Sequence, residues 1–86
     1  MLHVEMVRTG SSTNLWKVEG LTEKELDELN SMEYRDMKDK ILDIVSSRKH
    51  DYREKDIATA WACGYGVYNV YIMNGAVYIE TGKSCD

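Results

Sequence analysis

The stretch Val67-Tyr68-Asn69-Val70-Tyr71-Ile72-Met73-Asn74-Gly75-Ala76-Val77-Tyr78-Ile79-Glu80-Thr81 decides the fold of this chain. Two runs rich in β-branched and aromatic residues flank an Asn-Gly pair, and both residues of that pair tolerate the positive φ that a type I′ turn requires. The stretch therefore reads as a β-hairpin whose register can be written down. Met73 pairs with Ala76, Ile72 with Val77, Tyr71 with Tyr78, Val70 with Ile79 and Asn69 with Glu80. Because side chains alternate across a strand, one face carries Tyr68, Val70, Ile72, Val77, Ile79 and Thr81, the composition of a core. The opposite face carries Tyr65, Val67, Asn69, Tyr71, Met73, Ala76, Tyr78 and Glu80. That mixture of amphipathic aromatics, methionine and a few polar groups suits a protein-binding surface. Plainer readings are that Tyr71 and Tyr78 stack as a cross-strand pair and serve only the hairpin, or that a helix covers this face.

Outward from the hairpin, the N-terminal residues supply a second one. Leu2-His3-Val4-Glu5-Met6-Val7-Arg8 and Asn14-Leu15-Trp16-Lys17-Val18-Glu19 alternate on either side of the turn-like Thr9-Gly10-Ser11-Ser12-Thr13. Val4, Met6, Trp16 and Val18 are expected on the packed face, with Glu5 and Lys17 in solvent. Between the hairpins lie helix signals. Thr22 with Glu25 three residues later forms a capping box, and Leu21 is placed to staple onto Leu26 in a short helix that ends near Asn30. A second start is expected at Asn30 or Ser31, and Tyr34, Met37, Ile41, Ile44 and Val45 form the apolar stripe of a helix running to about Ser47. Asp51 with Glu54 repeats the cap pattern and opens a third helix through Ile57, Ala58, Ala60 and Trp61, with Gly64 as its C′ residue. Residues 54–63 also satisfy a strand reading. The fold class is α+β: an N-terminal hairpin, two to three helices and a C-terminal hairpin, forming a small antiparallel sheet with helices packed on one face.

Composition bounds the function. Eighty-six residues make one domain, with no proline or phenylalanine but six tyrosines, two tryptophans and five methionines, and most apolar side chains must enter a single core. The N-terminus has neither a basic leader nor an apolar signal core, and no apolar run reaches a membrane span. A cytoplasmic protein is expected, with no membrane partner. The net charge of −4 argues against a general grip on nucleic-acid phosphates, so direct nucleic-acid binding is not expected.

Acidic residues concentrate from Glu19 to Asp43, whereas Arg48, Lys49, Arg53 and Lys55 make a small basic cluster. Glu25, Glu28, Asp36, Asp39 and Asp43 form a candidate acidic face that imitates phosphates and blocks a nucleic-acid enzyme by charge complementarity. The commoner use of such a run is a solvated helix face.

Catalytic and cofactor motifs are missing. Thr9-Gly10-Ser11-Ser12-Thr13 lacks the Gly-Lys-Ser/Thr ending of a phosphate loop, and Gly64-Tyr65-Gly66 precedes a strand where a dinucleotide fingerprint opens a helix. Extending the hairpin register places Cys63 and Cys85 as diagonal neighbours, which admits a thiol, redox or metal protein. Free thiols are the plainer expectation in a reducing compartment. None of the usual spacings joins the cysteines to His3 or His50 in a zinc site, so no metal and no cofactor are assigned, and the chain is not expected to be an enzyme. In size, acidity and lack of catalytic motifs it resembles the small accessory proteins of bacteriophages and mobile elements. The resemblance implies a protein that inhibits a host or defence protein by occlusion. The expected recognition residues are Tyr65, Tyr71, Met73, Tyr78, Asn69 and Glu80, engaging a protein partner or a second copy of the chain.

Overall fold

In the computed structural model, residues 1–10, 12–52 and 66–82 are described. The first hairpin joins β1 (His3–Thr9) to β2 (Thr13–Glu19), helices α1 (Glu23–Asn30) and α2 (Tyr34–Ser47) follow, and β3 (Val67–Met73) and β4 (Ala76–Gly82) form the second hairpin. The four strands make one antiparallel sheet in the order β1-β2-β4-β3. Thus the hairpins join through β2 and β4, with Trp16 opposite Ile79 and Val18 opposite Val77. These four side chains are buried, and they merge with Leu26, Leu29, Met37, Ile41, Ile44 and Val45 of the helices in a single apolar cluster. Burial of that shared surface is the main force holding helices to sheet. The third helix expected after Asp51, the helix-or-strand ambiguity at 54–63 and both cysteines lie outside the described residues.

The C-terminal hairpin has the expected register from Asn69–Glu80 to Met73–Ala76. Asn74 has φ of 50° and Gly75 of +79°, the positive pair that the turn demands. Past Asn69 the register shifts, so that Val67 pairs with Thr81. This bulge overturns two assignments of face. Val67, expected on the displayed side, packs against the core, while Tyr68, expected in the core, is 49% exposed. An extra residue in an edge strand re-aims the side chains beyond it, and no alternating pattern announces it. β1 carries a matching irregularity between Met6 and Arg8. There Met6 is 40% exposed although it was expected in the core, and Arg8 is carried to the opposite face.

The helix boundaries follow their caps. Thr22 Oγ1 accepts from the Glu25 amide at 3.1 Å, and Glu25 Oε1 accepts from the Thr22 amide at 3.0 Å, the reciprocal pair of a capping box. Ser31 closes α1 instead of opening α2, its hydroxyl donating to the Glu28 carbonyl at 2.7 Å. The N-cap of α2 is Glu33, not Asn30 or Ser31, and it makes no side-chain cap bond. Tyr34, counted in the apolar stripe by its spacing, stands at the exposed first turn. Gly20, at φ of +113°, lets the chain leave β2 directly beneath the N-terminus. A Cβ there would sit 3.1 Å from the Met1 carbonyl oxygen.

Candidate functional site

With the helices packed on the face of Val4, Trp16, Val18, Val77 and Ile79, strand alternation places Leu15, Lys17, Tyr71, Met73, Tyr78 and Glu80 on the other. The register lines these residues into rows. Tyr71 stands opposite Tyr78 and Tyr78 opposite Lys17; Asn69 stands opposite Glu80 and Glu80 opposite Leu15, with Arg8 next in line. The two tyrosine rings stack with centroids 5.2 Å apart and an interplanar angle of 12°. Both are half-buried, whereas Met73 at the turn end of the hairpin is 47% exposed. The bulge in β1 brings Arg8 within 3.8 Å of Glu80, so one border of the tyrosine patch is an ion pair that reaches over Leu15. Of the expected recognition residues, Asn69, Tyr71, Met73, Tyr78 and Glu80 share this surface. Tyr65 lies outside the described residues.

Both outer edges of the sheet are engaged by side chains from elsewhere in the chain. At the β3 edge the Tyr34 hydroxyl accepts from the Val70 amide at 3.1 Å and donates to Asn69 Oδ1 at 3.1 Å. At the β1 edge Asp51 Oδ1 accepts from the Val4 amide at 3.0 Å. The main chain of the Lys49–Asp51 segment also pairs with Leu2, through Leu2 N to the Lys49 carbonyl at 2.8 Å and Asp51 N to the Leu2 carbonyl at 3.0 Å. Edge strands with free main-chain groups recruit further strands, and these bonds occupy part of that template. Asp51, read from sequence as a helix cap, uses its carboxylate to hold β1.

The acidic set is divided by the fold. Glu25 is half-buried and is paired with Arg48 besides serving the capping box. The Arg48 guanidinium, with the Thr22 amide, holds its carboxyl at about 2, well below the ordinary 4.5. Glu28, Asp36, Asp39 and Asp43 are exposed, the last three along the solvent side of α2, opposite Met37, Ile41, Ile44 and Val45. A cleft of ≈ 350 Å³ separates α1 from α2, and its polar lining is Glu25, Glu28, Ser31 and Lys40.

A further cluster was missed in the sequence. His3, Glu5 and Glu19 offer an imidazole nitrogen and two carboxylates whose ligand atoms all lie within 4.8 Å of one another. Its signal was present in the N-terminal hairpin: Glu19 pairs with His3, and Glu5 is two residues along the same strand, hence on the same face. The usual metal-ligand spacings describe helices and loops and do not capture a set spread across two strands.

No protein-family model matches the chain, and no match is found among the curated proteins or the solved structures. Among the described residues no helix is long and apolar enough to cross a membrane.

Proposed function

We propose that this protein is a non-enzymatic binding module that recognises a protein partner through the outer face of its sheet. The observation that carries the reading is the stacked Tyr71–Tyr78 pair on the face opposite α1 and α2. Tyrosine gives large contact area at low ordering cost and methionine adapts its shape to a partner, and the centre of a protein interface is enriched in both. Leu15 and Met73 extend the apolar centre, while the Arg8–Glu80 pair and Lys17 supply a polar rim that sets orientation. Recognition by added strands is less favoured, because Tyr34 and Asp51 already bond the edge amides of Val70 and Val4. In this reading the protein acts by occlusion, as an inhibitory accessory protein of phage or mobile-element type would.

The test is affinity capture from host lysate with wild-type protein, with Tyr71→Ala/Tyr78→Ala, and with Met73→Glu, each first checked for a folded spectrum. The reading expects a stoichiometric protein that both variants lose. Equal capture by folded variants overturns it, and recovery of the chain alone as a defined oligomer makes the partner a second copy.

A second reading rests on the exposed Asp36, Asp39 and Asp43 of α2, which present carboxylates on successive turns as a phosphate mimic would. Glu25 contributes less, since Arg48 neutralises it. Capture that survives the tyrosine variants but fails after charge reversal at Asp36, Asp39 and Asp43, and that weakens with salt, favours mimicry. A thiol or metal role for Cys63 and Cys85 is tested separately by thiol titration with and without chelator.

A further inference from the structure

We infer that the open end of the N-terminal hairpin is a divalent transition-metal site, with His3 Nε2, Glu5 and Glu19 as ligands and Asp51 as the group that orients the imidazole. The three ligands come from two paired strands. Strand alternation puts His3 and Glu5 on one face of β1, and antiparallel pairing sets Glu19 of β2 directly across from His3. Their ligand atoms lie within 4.8 Å of one another, with His3 Nε2 4.0 Å from Glu5 Oε1. Metal bonds of ~2.0–2.2 Å to nitrogen and carboxylate oxygen require these atoms to close by about an ångström. Glu5 and His3 are exposed and Glu19 is half-buried, so ordinary side-chain rotations supply that closure.

The arrangement behind the imidazole separates this cluster from a chance meeting of surface charges. His3 Nδ1 is 2.6 Å from Asp51 Oδ2, and the other oxygen of Asp51 accepts from the Val4 amide in the adjacent strand backbone. The carboxylate is thereby held in place by main chain, and its bond to Nδ1 makes that nitrogen the protonated one. The lone pair of the neutral ring is then at Nε2, on the side of Glu5. A carboxylate that holds one ring nitrogen while a metal takes the other is the usual outer-shell arrangement at histidine-bound metals. Three protein ligands leave further positions to water or to a group from a partner.

One nitrogen and two oxygen donors favour zinc and its neighbours over magnesium or calcium, which take oxygen alone. Lys17 is the resident competitor, its ammonium 3.7 Å from Glu19 Oε1 and its residue opposite Glu5 in the register. A bound metal displaces it, and removing its charge strengthens binding.

The experiment is titration of untagged full-length protein with zinc chloride, followed residue by residue in proton–nitrogen correlation spectra, with magnesium chloride in parallel. Saturable shifts centred on His3, Glu5 and Glu19, caused by zinc and not by magnesium at equal concentration, are expected. His3→Ala and Glu19→Gln should each weaken zinc by about tenfold or more, the least that losing even an orienting partner costs, and Lys17→Gln should tighten it. Shifts centred only on His50, Cys63 or Cys85 overturn the assignment, as do equal affinities in wild type and variants, equal responses to magnesium, or no saturable response. Should His3→Ala fail to fold, Glu19→Gln decides, because Glu19 takes no part in the Asp51 clamp.

Discussion

Arg48, which closes the C-terminus of α2, is paired with Glu25, the residue that completes the capping box of α1. One carboxylate therefore ties the start of one helix to the end of the next, and its ionisation is linked to folding. The guanidinium lowers the Glu25 carboxyl from 4.5 to about 2. A carboxyl depressed in the fold contributes stability that is fully present above its unfolded value, near 4.5, and is lost as pH falls through about 2. Replacing Arg48 by alanine should return the Glu25 carboxyl towards 4.5 and flatten the loss of stability over that acid interval. Side-chain carboxyl titration by NMR, with thermal melts from pH 2 to pH 5, checks both. An unmoved Glu25 would mean that the capping box alone sets its acidity.

Gly75→Ala isolates the backbone cost of the turn. Gly75 sits at φ of +79°, and a Cβ built on it meets nothing within 4 Å. With no steric clash, the penalty is that of holding an L-residue in the left-handed region, about 1–2 kcal/mol. For a domain of this size that lowers the melting temperature by roughly 4–8 °C per kcal/mol. A loss below measurement error would show that the hairpin does not depend on its turn.

The hairpin was legible because its information is local: Asn74-Gly75 and the flanking alternation both name the same register, and the capping box at Thr22 and Glu25 names the start of α1 in the same way. What escaped was set by distant partners. Nothing near Trp16 or Ile79 says that β2 and β4 will pair, since that pairing is chosen by burying Trp16, Val18, Val77 and Ile79 together. The bulges before Arg8 and Asn69 leave the residue types unchanged, so Tyr68 and Val67 exchange faces without notice. Tyr34 had the spacing of a core residue and is used at a sheet edge. Asp51 holds β1 by bonding His3 and Val4, partners far away in sequence that its neighbours do not announce. The same long-range closure assembled His3, Glu5 and Glu19, which a linear search for ligand spacings passes over.

The Tyr71–Tyr78 stack separates a structural from a recognition role by a double-mutant cycle. At 5.2 Å and 12° the pair has the geometry of offset-stacked rings, for which a coupling of about 0.5–1.5 kcal/mol is expected. Chemical denaturation of Tyr71→Ala, Tyr78→Ala and the double variant measures it. If partner affinity falls by more than this coupling in folded single variants, the rings contact the partner. Affinity that tracks stability alone assigns them to the hairpin.

Tyr34→Phe tests whether the phenol guards the sheet edge. The ring survives this substitution, and only the oxygen that accepts from the Val70 amide and donates to Asn69 Oδ1 is removed. Val70 itself is buried at 1% exposure, yet its amide faces the free side of β3. Loss of a typical intramolecular hydrogen bond costs about 0.5–1.5 kcal/mol. Amide exchange at Val70 should quicken, while amides of the central strands β2 and β4 keep the protection set by global stability. An edge relieved of its cap is also a better template for another strand, so the variant should associate more readily with rising concentration, read by sedimentation. Unchanged exchange at Val70 would remove the phenol from the edge and reopen β3 as a pairing surface in the wild-type protein.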